Sequence, residues 1–584
     1  MSAPEAQEIA SMALCDQEAL CRAAGVSPFS ISPSLRRLAG IGSSGTHPGN
    51  AHRDLVAWLG EPSIPGPYVA DVPVKVQKPI RGQAKDQSCP CHFLLPHVYF
   101  ADTFANRSQI FEETMLGGDA SNPPKFWAGV VERRDPRLAH HPLMRKPDWM
   151  RKCIPLSWHG DAVPCIGVGK ATSRSLDVWS WQSVLALRGK STDVKNIATS
   201  IFSASKGSGT EEAMGKILLW SFQALGDGVW PEKDHNGKAF SEVAPGSMHA
   251  KQAGLPLADG FFGVVWLIKG DLDYLANSLH LRHYSARMPC ELCPCDNGLD
   301  QRHWASNFGP SSVWANSSYS RAQWSALRAE VPHWLFRLPH VSNLNVEPDE
   351  LHLLHLGVSM WALGSVLWLI VFRIMDRSVS ENVDHLWCRI RACYDKLKPD
   401  AQYSNFSLSS FCDPTRPRAH YPKLKGRGAE VKSLVGVMAV VWEDLRDPAE
   451  PDHSLISAML CHLVGIHSVI DEFAQSFFLT REASGKLTQR VADFLSVYTQ
   501  LAHNADGRGD LLWNLTIKFH WLWHFGQRCH YLSPRRGACL IDEDFVGKVK
   551  KVAAACAAGT KLHFIPAKVL DKMRWGRHFA NSAF

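Results

Sequence analysis

Two aspartates each close an apolar run of strand length. Asp161 follows residues 154–159, and Asp271 follows the uncharged run 261–268, which Gly260 and Gly270 flank. Carboxylates at the ends of two neighbouring buried strands stand at one sheet edge, where they can share a divalent cation. Phosphodiester hydrolysis and strand transfer use a pair of such cations roughly 4 Å apart, one activating the attacking oxygen and the other stabilising the leaving one. A third carboxylate from elsewhere in the chain would complete the cage. Asp is common at loop starts, and Asp273 competes with Asp271, less well because it lies beyond the glycine turn.

A second set of residues has metal-ligand spacing. Cys290 and Cys293 form a Cys-x-x-Cys, and His520 and His524 stand four apart on one helix face, so both pairs have the spread that a tetrahedral zinc site needs. In a chain with 16 Cys and 27 His, chance supplies roughly 0.4 pairs of the first kind and about 1.2 of the second, so neither carries weight alone. Their order does. Cys290 follows Asp271 by nineteen residues, and Glu543 follows His524 by nineteen. A zinc on these four ligands would clamp two halves of an acidic site across the long segment between them. Cys89, Cys91, His92 and His97 are a weaker metal candidate, because Cys-x-Cys spacing suits one tetrahedral site poorly.

These residues need a sheet edge to hold them. Segments 176–185 and 197–202 are rich in β-branched and aromatic residues, which predicts three successive strands from 154 onward. Thr210 suits an N-cap before Glu211 and Glu212. Met214, Ile217, Leu218 and Leu225 then recur at helical spacing until Gly226. The run 261–268 reads as a strand buried on both faces. Residues 297–510 are helical in pattern, with helices expected at 351–375, 383–397, 430–445, 455–478 and 487–502 and a basic loop from Arg416 to Arg427 between them. Residues 511–584 return to aromatic-rich helices. The first 150 residues, rich in Pro, Gly and Ser, read as loops. The expected divisions are therefore 1–150, 151–296, 297–510 and 511–584.

At 584 residues the chain exceeds one ordinary core. Its net charge of +7 is too mild to mark a nucleic-acid binder. From Arg535 onward ten basic residues face four acidic ones, a tail that suits a phosphate backbone or a solvated face. Sixteen Cys without regular pairing, after an N-terminus lacking a basic and then apolar leader, favour a reducing compartment without disulfides. Residues 356–372 carry no formal charge, but seventeen residues span only about 26 Å of a roughly 30 Å hydrocarbon layer. A core helix covered by 430–445 and 455–478 is expected, and no membrane.

In order and spacing these residues resemble the DDE transposases of the eukaryotic CACTA (En/Spm-like) and Transib groups, the latter similar to the catalytic subunit of the V(D)J recombinase. The resemblance covers residues 154–551. It rests on Asp161, Asp271, the Cys and His pairs, and Glu543 in Glu543-Asp-Phe-Val-Gly547, which resembles a Glu-x-Phe-x-Gly carrying the third acid. Asp349-Glu-Leu-His352 resembles an Asp-x-x-His string of the family's insertion. The resemblance implies an α/β fold in which an RNase H-like mixed sheet is split by a large all-helical insertion. It also implies Mg²⁺ or Mn²⁺ on the catalytic acids Asp161, Asp271 and Glu543, and structural zinc on Cys290, Cys293, His520 and His524. Double-stranded DNA (transposon ends and target) would be the partner, a homodimer is compatible, and the location would be nuclear. No DNA-binding module of the family is visible in residues 1–150, and a catalytically inactive, transposon-derived DNA-binding or scaffold protein is the alternative. On residue type alone, Glu543 between Asp542 and Asp544 also reads as a solvated charge at a helix start, and His352 and His355 read as core histidines.

Overall fold

Strands form where β-branched and aromatic residues concentrate. The computed structural model describes residues 3–27, 31–59, 64–76, 85–166, 174–186, 188–328 and 333–582. β1 (Tyr68–Val76) and β2 (Lys85–Phe93) make an antiparallel hairpin. β3 (Cys153–Ile166), β4 (Arg174–Ser183), β5 (Asn196–Phe202) and β6 (Phe262–Lys269) make a mixed sheet of order β5-β4-β3-β6. The first three pair antiparallel, while β6 lies parallel to β3 and is reached through a crossover containing α1 (Thr210–Asp227). The protein is thus of mixed α/β class. β3 does not stop at Asp161 as expected. Its hairpin partner β4 pairs with it as far as Ile166, whereas β6 ends at Lys269 opposite His159. α1 is capped by Gly209 in place of Thr210, whose hydroxyl instead accepts the Gly207 N–H at 2.8 Å, and it ends at left-handed Gly228, two residues past Gly226.

Between β6 and the last helices run α2 (Leu351–Ile374), α3 (Val379–Leu397), α4 (Gly428–Leu445), α5 (Pro451–Glu472) and α6 (Arg481–Gly507), then α7 (Ile517–Arg528) and α8 (Leu540–Ala557). α2 begins and ends in π-helical turns. α2 and α5 are long and apolar enough to cross a membrane by length and composition, and the apolar window of α2 is 83% buried, so it is core. Its cover comes from α3, α4 and α7. With α5 it makes a ring contact, His355 on His467 at 5.2 Å.

Cross-strand partners share a sheet face. Val178, the partner of Asp161, packs with Leu176, Ile197 and Phe202 against Phe545, Val546 and Val549 of α8. Trp158 instead meets Phe222 of α1. Asp161 therefore stands on the face that α8 covers.

Residues 1–150 hold more helix than their composition suggests. The chain divides into two compact units, Met1–Pro65 with Arg574–Phe584, and Gly66–Met573. The first contains helices Ala3–Ala23, Pro33–Ser44 and Ala51–Leu59. The second opens with the β1–β2 hairpin and helices Pro96–Asn106, Ser108–Met115 and Asn122–Glu132. Several of the prolines that suggested loops sit in the first turn of a helix, where a missing N–H costs nothing.

Candidate active site

Both strand ends carry a Gly-Asp, and both glycines serve one ring. A Cβ on Gly160 or on Gly270 would overlap the ring of Tyr274, so only glycine lets that ring lie against both strand ends. Trp158 Nε1 donates to the Tyr274 hydroxyl at 2.9 Å. Asp271 caps the short helix Leu272–Asn277, its Oδ1 accepting the Tyr274 N–H at 2.7 Å, and Asp161 accepts the Ala162 N–H at 2.7 Å. Each acid lies two residues beyond the last parallel rung, His159 opposite Lys269. The competing Asp273 is exposed and accepts from Asn277 at 2.8 Å.

Glu543 enters from the first turn of α8. Burial, and next the charge of Asp161, push its carboxyl up to about 7, with Asp349 and Asp271 adding and His352 opposing. Burial and the charge of Asp271 likewise raise Asp161. Partly buried carboxylates that repel one another in this way gain by taking up a cation. His352 joins them: its Nε2 lies 3.5 Å from Glu543 Oε1, and its Nδ1 lies 2.5 Å from Asp349 Oδ2. Burial disfavours charge on His352, yet Asp349, Glu543 and Asp271 together push it up to about 9. Asp349 also accepts the Cys539 N–H at 2.7 Å, tying the start of α2 to the start of α8. The core-histidine reading suits His355, which is buried, and not His352; the Asp-x-x-His spacing was the available signal.

Metal-free protein offers a test of this repulsion. Glu543 ordinarily titrates at 4.5 and here at about 7, so the folded protein keeps a proton that the unfolded chain loses in that window. Stability contributed by this group therefore falls as pH rises through it. Glu543→Gln is expected to raise the melting temperature at about pH 8 and to leave it unchanged near pH 4. An equal shift at both pH values would refute the repulsion.

Beneath the acids lies a buried ionic floor. Asp542, fully buried, accepts from Lys269 Nζ at 2.6 Å and from Lys195, with His159 Nδ1 at 3.9 Å. Burial alone would raise its pKa, but the two ammonium groups hold it far below the usual carboxylate range. Burial holds Lys195 down to about 8 and His159 down to about 3, so His159 is neutral. His159 and Lys269 each lie two residues before a candidate acid, and Asp542 directly precedes the third. Adjacent carboxylates thus divide into an inward brace, Asp542, and the half-buried Glu543 beside His352. Asp542→Ala should cost about 3–5 kcal/mol in urea unfolding, because it strands two buried cations. A loss below about 1 kcal/mol would show that the floor carries no stability.

The second metal candidate lies on α7 and the loop after Asp271. Cys290, Cys293, His520 and His524 are buried, and their ligand atoms lie within 4.8 Å of one another. Cys290 Sγ is 3.5 Å from His524 Nε2, Cys293 Sγ is 3.2 Å from His520 Nε2, and the two Nε2 atoms are 3.2 Å apart. Tetrahedral Zn–S and Zn–N bonds imply S···N near about 3.6 Å and N···N near about 3.3 Å. The group could therefore hold a metal such as zinc. No model of a known protein family matches the chain, and no curated protein matches it. The site is therefore read from its chemistry. The Ala305 carbonyl, 3.0 Å from His520 Nδ1, holds that nitrogen as the N–H and leaves Nε2 for a metal. Burial keeps His524 neutral, the ligand form. Cys295, also buried, lies beside both thiols, a placement that the Cys-x-x-Cys spacing does not point to. Trp521 of the same helix lines a small cavity with Asp271, Asp349 and His352, so the Cys/His group and one wall of that cavity share a helix.

Proposed function

We propose that this chain is a divalent-metal-dependent DNA nuclease and strand-transfer enzyme of the DDE transposase type, built on an RNase H-like core. The observation that carries the reading is that Asp161 and Asp271 each lie two residues past the paired His159 and Lys269 of neighbouring parallel strands, with the charges of both among the causes that raise Glu543. The strand order, three antiparallel strands with a fourth parallel to the first, supports the RNase H-like core. The run α2–α6 between β6 and α8 supports a helical insertion.

The three carboxylates form an all-oxygen donor set that suits Mg²⁺ or Mn²⁺. Bound there, the metal would supply an activated attacking oxygen and charge stabilisation for the leaving one. The protein's own residues hold the set in place. The N–H groups of Ala162 and Tyr274 orient Asp161 and Asp271, α8 delivers Glu543, and Asp349 aims the His352 ring at it. Zinc on Cys290, Cys293, His520 and His524 would be structural, since four protein ligands close its coordination. Double-stranded DNA in the nucleus is the partner and place this chemistry fits. Supercoiled plasmid with Mg²⁺ or Mn²⁺ tests the reading, and metal-dependent nicks are expected. DNA binding without nicking under either metal would leave a non-catalytic DNA-binding derivative.

A further inference from the structure

We propose that Lys518, Lys423 and Lys425 form a cation track that carries the sugar-phosphate backbone of DNA along α2, away from the acidic edge. The inference rests on the DNA reading above and adds the surface that the strand follows.

From Tyr421 to Lys425 the chain alternates exposed and buried: Tyr421, Lys423 and Lys425 are exposed, while Pro422 and Leu424 are buried. This is the period of an extended segment, which sets successive exposed side chains about 6.7 Å apart on one side. Three successive N–H groups pin the segment. Lys423 N–H donates to the Phe411 carbonyl at 2.8 Å, Leu424 to Met360 at 2.9 Å, and Lys425 to Ser410 at 2.7 Å. Gly364 of α2 meets the Pro422 and Lys423 backbone so closely that a Cβ would not fit. The two lysines are therefore presented by a rigid strip.

Their place along α2 gives the strip a direction. His352, Leu356, Met360 and Gly364 stand four residues apart, on one side of the helix. His352 faces the acids, the Leu356 carbonyl accepts from Lys518 Nζ at 3.1 Å, Met360 receives the strip, and Gly364 lies beneath Lys423. Acids, Lys518 and strip thus follow in order over roughly 18 Å of helix.

Among the described residues none of the three lysines meets a carboxylate. Lys423 Nζ lies 5.0 Å over the Trp361 ring, and Lys425 donates to the Ser409 carbonyl at 2.8 Å. Arg427 and Arg416 nearby are engaged by Glu430 and Asp413 and lie outside the track. Cations in file suit a regularly repeating polyanion better than a single small anion.

The test uses full-length protein, a short DNA duplex of arbitrary sequence and no added divalent metal, with affinity measured between about 50 and 200 mM salt. Losing two phosphate contacts lowers the slope of log K against log salt by about 1.8. That drop is expected for Lys423→Gln/Lys425→Gln, with Lys423→Arg/Lys425→Arg and Arg427→Gln keeping the parent slope. An unchanged slope in the Gln variant, in protein whose melting curve matches the parent, overturns the track even if plasmid is still nicked. The expected drop without any nicking upholds the track and overturns the nuclease reading. Loss of binding to polyglutamate or anionic vesicles, with the DNA slope unchanged, overturns the track in favour of those partners.

Discussion

Asp161→Asn, Asp271→Asn and Glu543→Gln are each expected to lower metal-dependent nicking by on the order of 10³-fold while leaving DNA affinity within a few-fold. Each change keeps the shape of the side chain and removes one charge from a set that works as a unit. Asp161→Asn/Glu543→Gln should therefore cost little more than either change alone. Asp273→Asn is the control: its exposed carboxylate bonds Asn277, outside the group, and the variant should nick as the parent does. Retained nicking by Glu543→Gln would remove Glu543 from the set. Melting curves separate these variants from Asp542→Ala, which acts through the buried lysines.

Purified protein is expected to carry one equivalent of zinc, and Cys290→Ser or His524→Ala to lose it together with several kcal/mol of stability. Metal binding by ligands not preformed in the unfolded chain is itself folding free energy, with apparent values of about 10–16 kcal/mol in small zinc domains. Here the ligands join a loop after Asp271 to α7, so zinc loss should also open the wall that Trp521 contributes to the acidic cavity. Atomic absorption and thermal melts with and without a chelator check both statements. A zinc-free protein with the parent melting temperature would sink the clamp. Cys295→Ser is expected to keep the metal; if it loses zinc while Cys290→Ser keeps it, the ligand set is different.

The basic tail illustrates how composition and structure part. Arg535 pairs with Glu350 and Asp471, and Arg536 is buried, donating to the carbonyls of Val184 and Leu185. Both cations count toward the tail's charge yet serve internal contacts. The lysines of the 421–425 strip belong to the basic loop that the sequence marks, and the alternating burial of an extended segment is what aligns them.

Periodicity in the sequence located strands β3–β6, α1 and the helices α2–α6, because hydrophobic spacing is a local property of the chain, but ends of β3, α5 and α6 fall about five to seven residues from the expected ones. Order and spacing also marked Asp161, Asp271, Glu543 and the two metal-ligand pairs. Tertiary structure decided which member of each neighbouring pair does what. Asp542 turns inward to two lysines while Glu543 faces the acids, and His352 is drawn to Glu543 while His355 is buried. It also supplied the reason for both Gly-Asp sequences, the Tyr274 ring, and placed Cys295 beside the Cys and His side chains that could hold a metal. Burial and charge at one point are sums over groups hundreds of residues apart, such as Lys195 and Asp542 or Cys290 and His524, and only the folded chain performs that sum.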